Sequence, residues 1–521
     1  VASLESTNVA SGESGSHDAT NDDDDEDDIP GLSDIFDGLM GKLLSSYSSS
    51  HDRSGTGSNS SFELGGGVAV VKATHTVESN AGSSANLQSN EDLEVKAEHT
   101  QELQVFSKGT VDNDEADYAI VSAVSVSLVD NTAKATVETG AKLDALRATR
   151  VISDITYPYL TRPDEFIPMS QGELVDQLEA DGKDGVKDYF DGTLGLQSKM
   201  INTWSQASGQ AGEFAVAGSV NYVQLTNVSE AIVESGVEIN QDISFRDSAQ
   251  NPHGNNNTQQ QVVSIEATSY LQFLNVTGTF DFSFLEAGDI EKCMLENNCN
   301  DLVSAGLADG MGGAIFIALL DNTTNALVES TAKIYSGGSG GFNMKAEEAI
   351  MNFVLTQAGA SASGSIGIAG TVGYFEQDSR TKAQLAGGAI VTGGSQANEA
   401  DVAGSPVTIY AGSLETHINW AGAVASGENA GFGITVALND IDRETEAIIG
   451  DIDPSVDAAN GATNPSVDTR VETSGDIKVN ASAVGDLWAF SLAAAMAGVA
   501  TPEAPDPTES PESVDGVKPK Y

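Results

Sequence analysis

The stretch Gly431–Gly450, GFGITVALNDIDRETEAIIG, decides the fold of this chain. Apolar residues alternate with small or polar ones over residues 432–438, which is the period of a β-strand with one buried face. A polar break follows at residues 439–442, and a second short alternating run is headed by Ala447. The pattern predicts β-structure that turns at the polar break, and related stretches recur along the chain.

The pattern occurs in six imperfect copies. To align them, we use as the anchor the first residue of the short alternating run that follows each polar break. The anchors are His75, Ala135, Ala231, Ala326, Ala383 and Ala447. They are 60, 96, 95, 57 and 64 residues apart, so the long intervals fit a unit of about 60 residues plus an insertion of roughly 35. A second anchor, the alanine of an apolar-x-apolar-x-Ala pattern, follows in five copies, at Ala97, Ala267, Ala346, Ala411 and Ala481.

Strands that recur in a fixed order, with turns of variable length between them, indicate an all-β solenoid. Stacked coils pair strand on strand, bury their inward residues continuously and place insertions at one side. A unit of about 60 residues is longer than an ordinary coil of about 20–30 residues, so we expect two to three coils in each repeat. An array of β-sandwiches is the competing interpretation, because it also contains many short strands.

The charge of the chain restricts its partners. Among 521 residues, 24 are Lys or Arg and 77 are Asp or Glu, which gives a formal net charge of −53. Such a surface repels nucleic acid and anionic membranes, so neither is expected as a partner. The sequence has no run of about 18 apolar residues, so membrane insertion is not expected either. Solvated carboxylates suit a protein that works in salt.

The two ends of the chain differ from the repeats in composition. Residues 1–28 predict a disordered acidic arm, and residues 499–521 predict an acidic, Pro-rich tail. Residues 29–61 predict a short amphipathic helix followed by a Ser/Gly linker. The apolar stripe of this helix is interpreted either as a cap on the first β layer or as an interface for a neighbouring subunit. It consists of Leu32, Ile35, Phe36, Leu39 and Leu43.

The repeat region, residues 62–498, contains two irregular segments. Insertions with helical stretches are expected at residues 157–212 and 284–310, and they are candidates for lateral contacts. The second insertion holds the two cysteines of the chain, Cys293 and Cys299. We expect a local disulfide between them in a secreted protein and two ordinary thiols in a cytosolic one.

Carboxylate clusters in the predicted turns are of the type that binds a hard cation such as Ca²⁺. They comprise Asp112, Asp114, Asp440, Asp442, Asp451 and Asp453. None has the twelve-residue spacing of a helix–loop–helix calcium site, and the Gly/Asp nonapeptide calcium repeat is absent. Solvated corners are therefore the simpler interpretation. No cofactor is required, and Ca²⁺ is the only candidate ligand of this kind.

The sequence carries no motif for nucleophilic catalysis, phosphate binding or metal-dependent hydrolysis, so an enzyme is not expected. The six histidines are scattered without metal-ligand spacing. His75 lies at an inward anchor and is expected to be packed rather than to act as a base. The remaining enzymatic alternative is cleavage of an acidic polysaccharide by two carboxylates on one face of a β-helix.

Two of the repeats, Gly431–Asp451 and Gly312–Ser330, resemble those of very large bacterial filamentous haemagglutinin-like and leukotoxin-type surface adhesins. The run Gly485–Gly498, GDLWAFSLAAAMAG, is similar to the alternating aromatic and alanine segment that precedes the next repeat in those proteins. The resemblance covers residues 62–498 apart from the insertions. It implies a right-handed parallel β-helix, export to the cell surface, and a role in attachment or surface structure.

The expected function is mechanical. An extracellular β-solenoid would form or decorate surface filaments, with copies joined head to tail through the solenoid ends and tails. Stacked strands predict a stiff rod, and an open coil end must be either capped or paired with another chain. The alternatives are a cell-surface adhesin module that binds a host or matrix glycan, and the polysaccharide-cleaving β-helix.

Overall fold

The computed structural model describes residues 2–15, 62–112, 117–157, 202–211, 213–246, 261–278, 304–306, 309–337, 340–362, 366–393, 405–450 and 468–497. Over these ranges the chain is a parallel β-solenoid, as the repeats predict. Each coil consists of a long outgoing strand, a short strand at a corner and a long return strand. Because every pair among the described strands is parallel, the antiparallel arrangement of a sandwich array does not fit.

The outgoing sheet has six strands of 20 residues, one from each coil. They are β2 (Phe62–Ala81), β5 (Tyr118–Val137), β9 (Phe214–Val233), β13 (Asp309–Val328), β16 (Ile366–Leu385) and β19 (Ala430–Ile449). Side chains alternate between the interior and the exterior along each strand. In β5, for example, Ala119, Val121 and Ala123 are buried. The two-residue period read from the sequence is therefore the period of the sheet.

The corner sheet also has six strands, and they are short. They are β3 (Asn86–Ser89), β6 (Lys142–Ala145), β10 (Glu238–Ile239), β14 (Lys333–Ser336), β17 (Ile390–Gly393) and β20 (Arg470–Thr473). The turn that leads into this sheet places Gly140, Gly236 and Gly388 at positive φ, a conformation that glycine adopts without strain. The one helix of the described ranges, α1 (Ile243–Arg246), follows β10.

The return sheet has seven layers, and two of them are interrupted. Its continuous strands are β1 (Ala2–Gly15), β4 (Asp92–Asp112), β15 (Phe342–Ala362), β18 (Val407–Gly427) and β21 (Ile477–Ala497). Its interrupted layers are β7 (Ala148–Thr156) with β8 (Thr203–Gln210), and β11 (Val262–Gly278) with β12 (Ser304–Gly306).

Each insertion interrupts one layer of the return sheet, so that the strands before and after it lie in the same layer. β7 and β8 both pair with β4, so the first interruption lies between Thr156 and Thr203. β8 lies inside the expected insertion 157–212, and β12 inside the expected insertion 284–310, yet both belong to the sheet. The alternating residues of these short strands satisfy the backbone hydrogen bonds of their neighbours, which a looped insertion would leave unpaired.

The N-terminal residues also differ from the expectation. Within the supposedly disordered arm 1–28, Ala2–Gly15 forms β1, which pairs in parallel with β4. The open edge of β4 provides the backbone partners that a polar segment lacks when it is isolated. The rest of the arm, the helix and linker at 29–61, and the tail 499–521 lie outside the described residues.

The register tests the repeat anchors residue by residue. Ala135, Ala231, Ala326, Ala383 and Ala447 are direct neighbours in the outgoing sheet, as predicted. The first anchor is wrong, because Ser79 rather than His75 pairs with Ala135. The second anchors are all neighbours in the return sheet, and Ser153 occupies the place between Ala97 and Ala267.

Each repeat is one coil, and the expectation of two to three coils is wrong. The long strands of 20 and 21 residues account for a unit of about 60 residues. At about 3.3 Å per residue a 20-residue strand is about 66 Å long, whereas six layers about 4.8 Å apart extend only about 24 Å. The described part of a single copy is therefore a plate rather than the expected rod.

The interior changes in character across the plate. Next to the corner sheet, large apolar side chains such as Leu143, Ile239 and Ile334 form the main core. At the opposite, narrow end the inward residues are mostly alanine, for example Ala360 and Ala425, because the two long sheets approach each other closely before the return-to-outgoing turn. Between these regions the inward side chains are polar.

Candidate functional site

A polar stripe runs through the interior along the solenoid axis. On the outgoing sheet one inward position holds a polar side chain in every coil: His75, Asn131, Asn227, Asn322, Ser379 and Arg443. Asn131 Nδ2 donates to Asn227 Oδ1 at 3.0 Å, and the facing His99 Nε2 lies 3.1 Å from Asn131 Oδ1. Such bonds between layers satisfy buried polar groups that would otherwise destabilise the core.

Glu348 on β15 is the most deeply buried carboxyl group of the stripe. Its side chain is fully buried and points across the interior to the outgoing sheet. Ser379 Oγ donates to it at 2.5 and 2.7 Å, Ser413 Oγ donates at 3.1 Å, and Asn322 Nδ2 also donates to it. Several donors therefore replace the water that this group would have in solution.

Glu415, on the neighbouring strand β18, forms the second half of a carboxyl pair. Gln377 Nε2 donates to its Oε1 atom at 3.0 Å, and Ser413 Oγ, whose single proton is shared with Glu348, lies 3.0 Å from the same atom. Its Oε2 atom lies 3.4 Å from His417 Nε2 and 3.4 Å from Arg443 Nη1. Arg443 thus brings a positive charge from the last coil to an otherwise buried cluster.

The two carboxyl groups share one proton near neutral pH. Burial, together with the negative charge of Glu415, raises the pKa of Glu348 to about 8 from an ordinary value of 4.5. Burial also opposes ionisation of Glu415, but hydrogen bonds from His417 and Glu348 and the charge of Arg443 lower the pKa of Glu415 overall. Glu348 therefore keeps the proton and donates it to the Glu415 carboxylate.

This carboxyl pair can hold a proton, but a substrate cannot reach it. Glu348, Glu415 and His417 are all buried. The carboxyl groups of a glycoside hydrolase flank a sugar, which requires an accessible cleft. The geometry supports a structural role for the pair within the polar stripe.

The sequence analysis did not identify Glu348 or Glu415, although the alternation of apolar residues places both at inward positions. Glu348 has the same inward phase as Phe342, Met344 and Ile350 in β15. A charged residue in phase with apolar positions indicates a buried charge. The interpretation failed because it assumed an apolar interior throughout.

The predicted carboxylate clusters are only partly within the described residues. Asp440 and Asp442 are exposed on the outer face of β19, in the middle of a continuous strand, so the predicted corner at this point is wrong. Asp112 is in β4, and Asp114, Asp451 and Asp453 lie outside the described residues. Where side chains are described, no group of three or more His, Cys, Asp or Glu is arranged to hold a metal ion. The calcium hypothesis stays a prediction.

The other predicted sites fall outside the residues that the structure describes. They are the helix stripe Leu32, Ile35, Phe36, Leu39 and Leu43, and the cysteine pair Cys293 and Cys299. His75 is described, and its ring centroid lies 5.2 Å from that of His99. Burial lowers its pKa, which fits a packed histidine in the polar stripe.

The last coil presents its interior to solvent over the described part of the chain. Val479 and Leu487 on β21 occupy the inward positions that Ile409 and His417 occupy on β18. Ile409 and His417 are 0% and 2% exposed, whereas Val479 and Leu487 are 47% and 54% exposed. All three sheets end at this coil, so β19, β20 and β21 each pair on one side only among the described strands.

No family model matches the chain, and neither the curated proteins nor the solved structures include a match. The resemblance to filamentous surface adhesins therefore stays an expectation from the repeats. Within the described ranges, no helix combines the length and the apolar character needed to cross a membrane.

Proposed function

We propose that this chain is a structural subunit that assembles end to end, its last coil docking on the first coil of the next copy. The observation that carries the proposal is the open interior of the last coil. Fully burying a Val or Leu side chain contributes roughly 1.5–3 kcal/mol, so covering Val479 and Leu487 would favour association.

The backbone of the last coil supports the same docking mode. β19 and β21 are long strands with an unpaired edge, and such an edge is a template for another strand. Addition of a parallel layer from a second copy would pair these backbone groups as the layers within the solenoid are paired.

The first coil offers a matching surface. β2 and β3 end the outgoing and corner sheets at that side. Leu87 of β3 is 39% exposed, although its neighbour Leu143 in the next coil is fully buried. A joint between the last coil of one copy and the first coil of another is head-to-tail and does not close, so it produces a filament.

An extracellular setting with a role in attachment completes the proposal. The acidic composition and the resemblance to surface adhesins support this part. The filament would then supply stiffness along its axis, because the backbone of every interior layer is paired on both sides.

The test compares two lysine substitutions on β21. Leu487→Lys places a charge on the inward face, where docking would bury it, and Val484→Lys places the same charge on the outward face at similar exposure. Negative-stain microscopy and sedimentation of the full chain, with and without calcium, should show filaments for the wild type and for Val484→Lys, and no filaments for Leu487→Lys. A wild type without filaments at every attainable concentration, or normal filaments of Leu487→Lys, would overturn the proposal.

A further inference from the structure

The outer face of the outgoing sheet carries a continuous apolar band on the half nearest the return-to-outgoing turn. The band consists of three apolar rows across six strands. The first row is Leu64, Ile120, Val216, Met311, Ile368 and Phe432; the second is Val68, Val124, Val220, Ile315, Val372 and Val436; the third is Val70, Val126, Tyr222, Ile317, Tyr374 and Leu438. Phe432 and Leu438 are 55% and 52% exposed.

A shallow groove separates the first two rows. Its floor is Gly218, Gly313 and Gly370, which are direct neighbours on β9, β13 and β16. The groove ends at β19, where the same row holds Ile434, 66% exposed. A Cβ atom at Gly218 or Gly313 would meet nothing within 4 Å, and none of the three has a positive φ. Neither internal packing nor backbone conformation therefore requires glycine here, although glycine weakens a strand.

We propose that this apolar band pairs with the same band of a second copy, face to face. The band extends about 24 Å across the strands and about 20 Å along them, a planar area of roughly 500 Å² before side-chain width is added. Two copies would together bury about twice that area, roughly 1,000 Å², which reaches the lower bound for a specific interface.

The surface relief indicates a second copy of this chain as the occupant. The face contains both a groove and, beside it, a ridge formed by the second row, and both repeat at the same layer spacing of about 4.8 Å. A two-fold axis parallel to the solenoid axis, placed between groove and ridge, sets the ridge of each copy in the groove of the other. The first row then faces the third row, so apolar side chains meet on both sides of the ridge and groove.

The distribution of charge favours the same arrangement. Beyond the band, the outward positions of the outgoing sheet carry carboxylates, among them Asp321, Asp378, Asp440 and Asp442. The two-fold relation places the acidic halves of the two copies on opposite sides of the contact. The carboxylates therefore remain solvated and apart, which matters in a chain with a net charge of −53.

This pairing is lateral and does not depend on end-to-end docking. Sedimentation is therefore measured on the full wild-type chain and on the Leu487→Lys chain, in which stacking is blocked. The test variant is Gly218→Val with Gly313→Val, which fills the groove where the chain itself has room. The control is Thr226→Val with Thr323→Val, at outward positions of the same two strands beyond the band.

The expected result is a dimer for the Leu487→Lys chain and for its control, with at least tenfold weaker dimerisation in the groove-filled chain. The melting temperature of the groove-filled chain should be unchanged or higher, because valine favours a strand. A chain that remains monomeric at all concentrations, or a groove-filled chain that dimerises as well as the control, would overturn the inference. A third outcome is a monomer that binds zwitterionic vesicles with the glycines in place and does not bind them when the groove is filled. That result would replace the second copy with lipid as the partner of the band.

Discussion

Glu348 links the fold to pH. In the unfolded chain a glutamate with the ordinary pKa of 4.5 loses its proton at low pH, whereas folded Glu348 keeps its proton until about pH 8. Between these values the folded state binds more protons, so the free energy of unfolding falls as pH rises, and this fall ends above pH 8. The contribution of Glu348 to stability is thus complete below about pH 4.5 and lost above about pH 8.

Glu348→Gln should remove this part of the pH dependence. The amide can donate to Glu415 as the protonated carboxyl group does, and it cannot ionise. We expect the variant to match the wild type to within about 1 kcal/mol at pH 5 and to be more stable by about 4 kcal/mol at pH 9 in urea unfolding. The control is Glu78→Gln, an exposed carboxylate on β2, which should leave the profile unchanged. Parallel profiles for wild type and Glu348→Gln would contradict the shared proton.

Asp378 tests repulsion on the outer face. It lies between Asp321 and Asp442 in the register, so three carboxylates occupy adjacent layers. Like charges directly opposite each other destabilise a sheet, and Asp378→Asn should stabilise the chain by about 0.5 kcal/mol at low salt. In 1 M salt, where the Debye length is about 3 Å, the gain should disappear. Asp130→Asn is the control, because the neighbours of Asp130 are Thr74 and Thr226; an equal gain there would argue against repulsion.

The turn between the outgoing and corner sheets has a residue at positive φ in four coils, and in one of them that residue is not glycine. Gly140, Gly236 and Gly388 occupy the same place in three coils, and Thr331 occupies it in the fourth with φ of 64°. A β-branched residue in this conformation is strained. Thr331→Gly should therefore raise the free energy of unfolding by about 1 kcal/mol in urea titrations.

The reverse substitution serves as the control for that turn. Gly236→Thr should destabilise the chain by a similar amount. A Cβ atom there would have space, because its nearest neighbour would be Thr331 Oγ1 at 3.9 Å. The loss would thus come from the backbone alone. Equal stability of both variants and the wild type would show that the turn relaxes to accept either residue.

The long strands explain which elements could be predicted from the sequence. Where the interior is apolar, alternation located the strands and the anchors to the residue, as at Ala231 and Ala326. At Asn439–Asp442 the strand continues, but Asn439 faces the polar stripe and Asp440 faces solvent. Inward and outward positions are then both polar. The alternation disappears, and this part of the strand has the composition of a turn. The same effect hid the true length of each strand and therefore the number of coils.

The apolar band could not be predicted for a related reason. An outward valine such as Val220 and an inward alanine such as Ala217 both count as apolar, so single-strand patterns do not show which face is buried. Only the register of six strands places the outward residues side by side. The carboxyl pair likewise depends on a contact between β15 and β18, far apart in sequence, which no local pattern contains.

At the scale of the whole molecule, the three sheets differ in their number of layers. Among the described strands, the outgoing and corner sheets have six layers, and the return sheet has seven because β1 lies on β4. Stacking of a second copy through all three sheets requires equal numbers of layers. β1 therefore occupies the place that β21 of the neighbouring copy would take, and it must leave before the joint is complete.

Removal of residues 1–15 should therefore promote assembly. We expect filaments at a lower protein concentration by light scattering, with an axial repeat of about 29 Å, which is six layers of about 4.8 Å, in electron micrographs. Removal of residues 499–521 is the control and should leave that concentration unchanged. If the chain without residues 1–15 stays single while the full chain assembles, β1 is the connector between copies. In that case β1 remains as a layer between two copies, and the axial repeat of the filament should be about 34 Å, or seven layers.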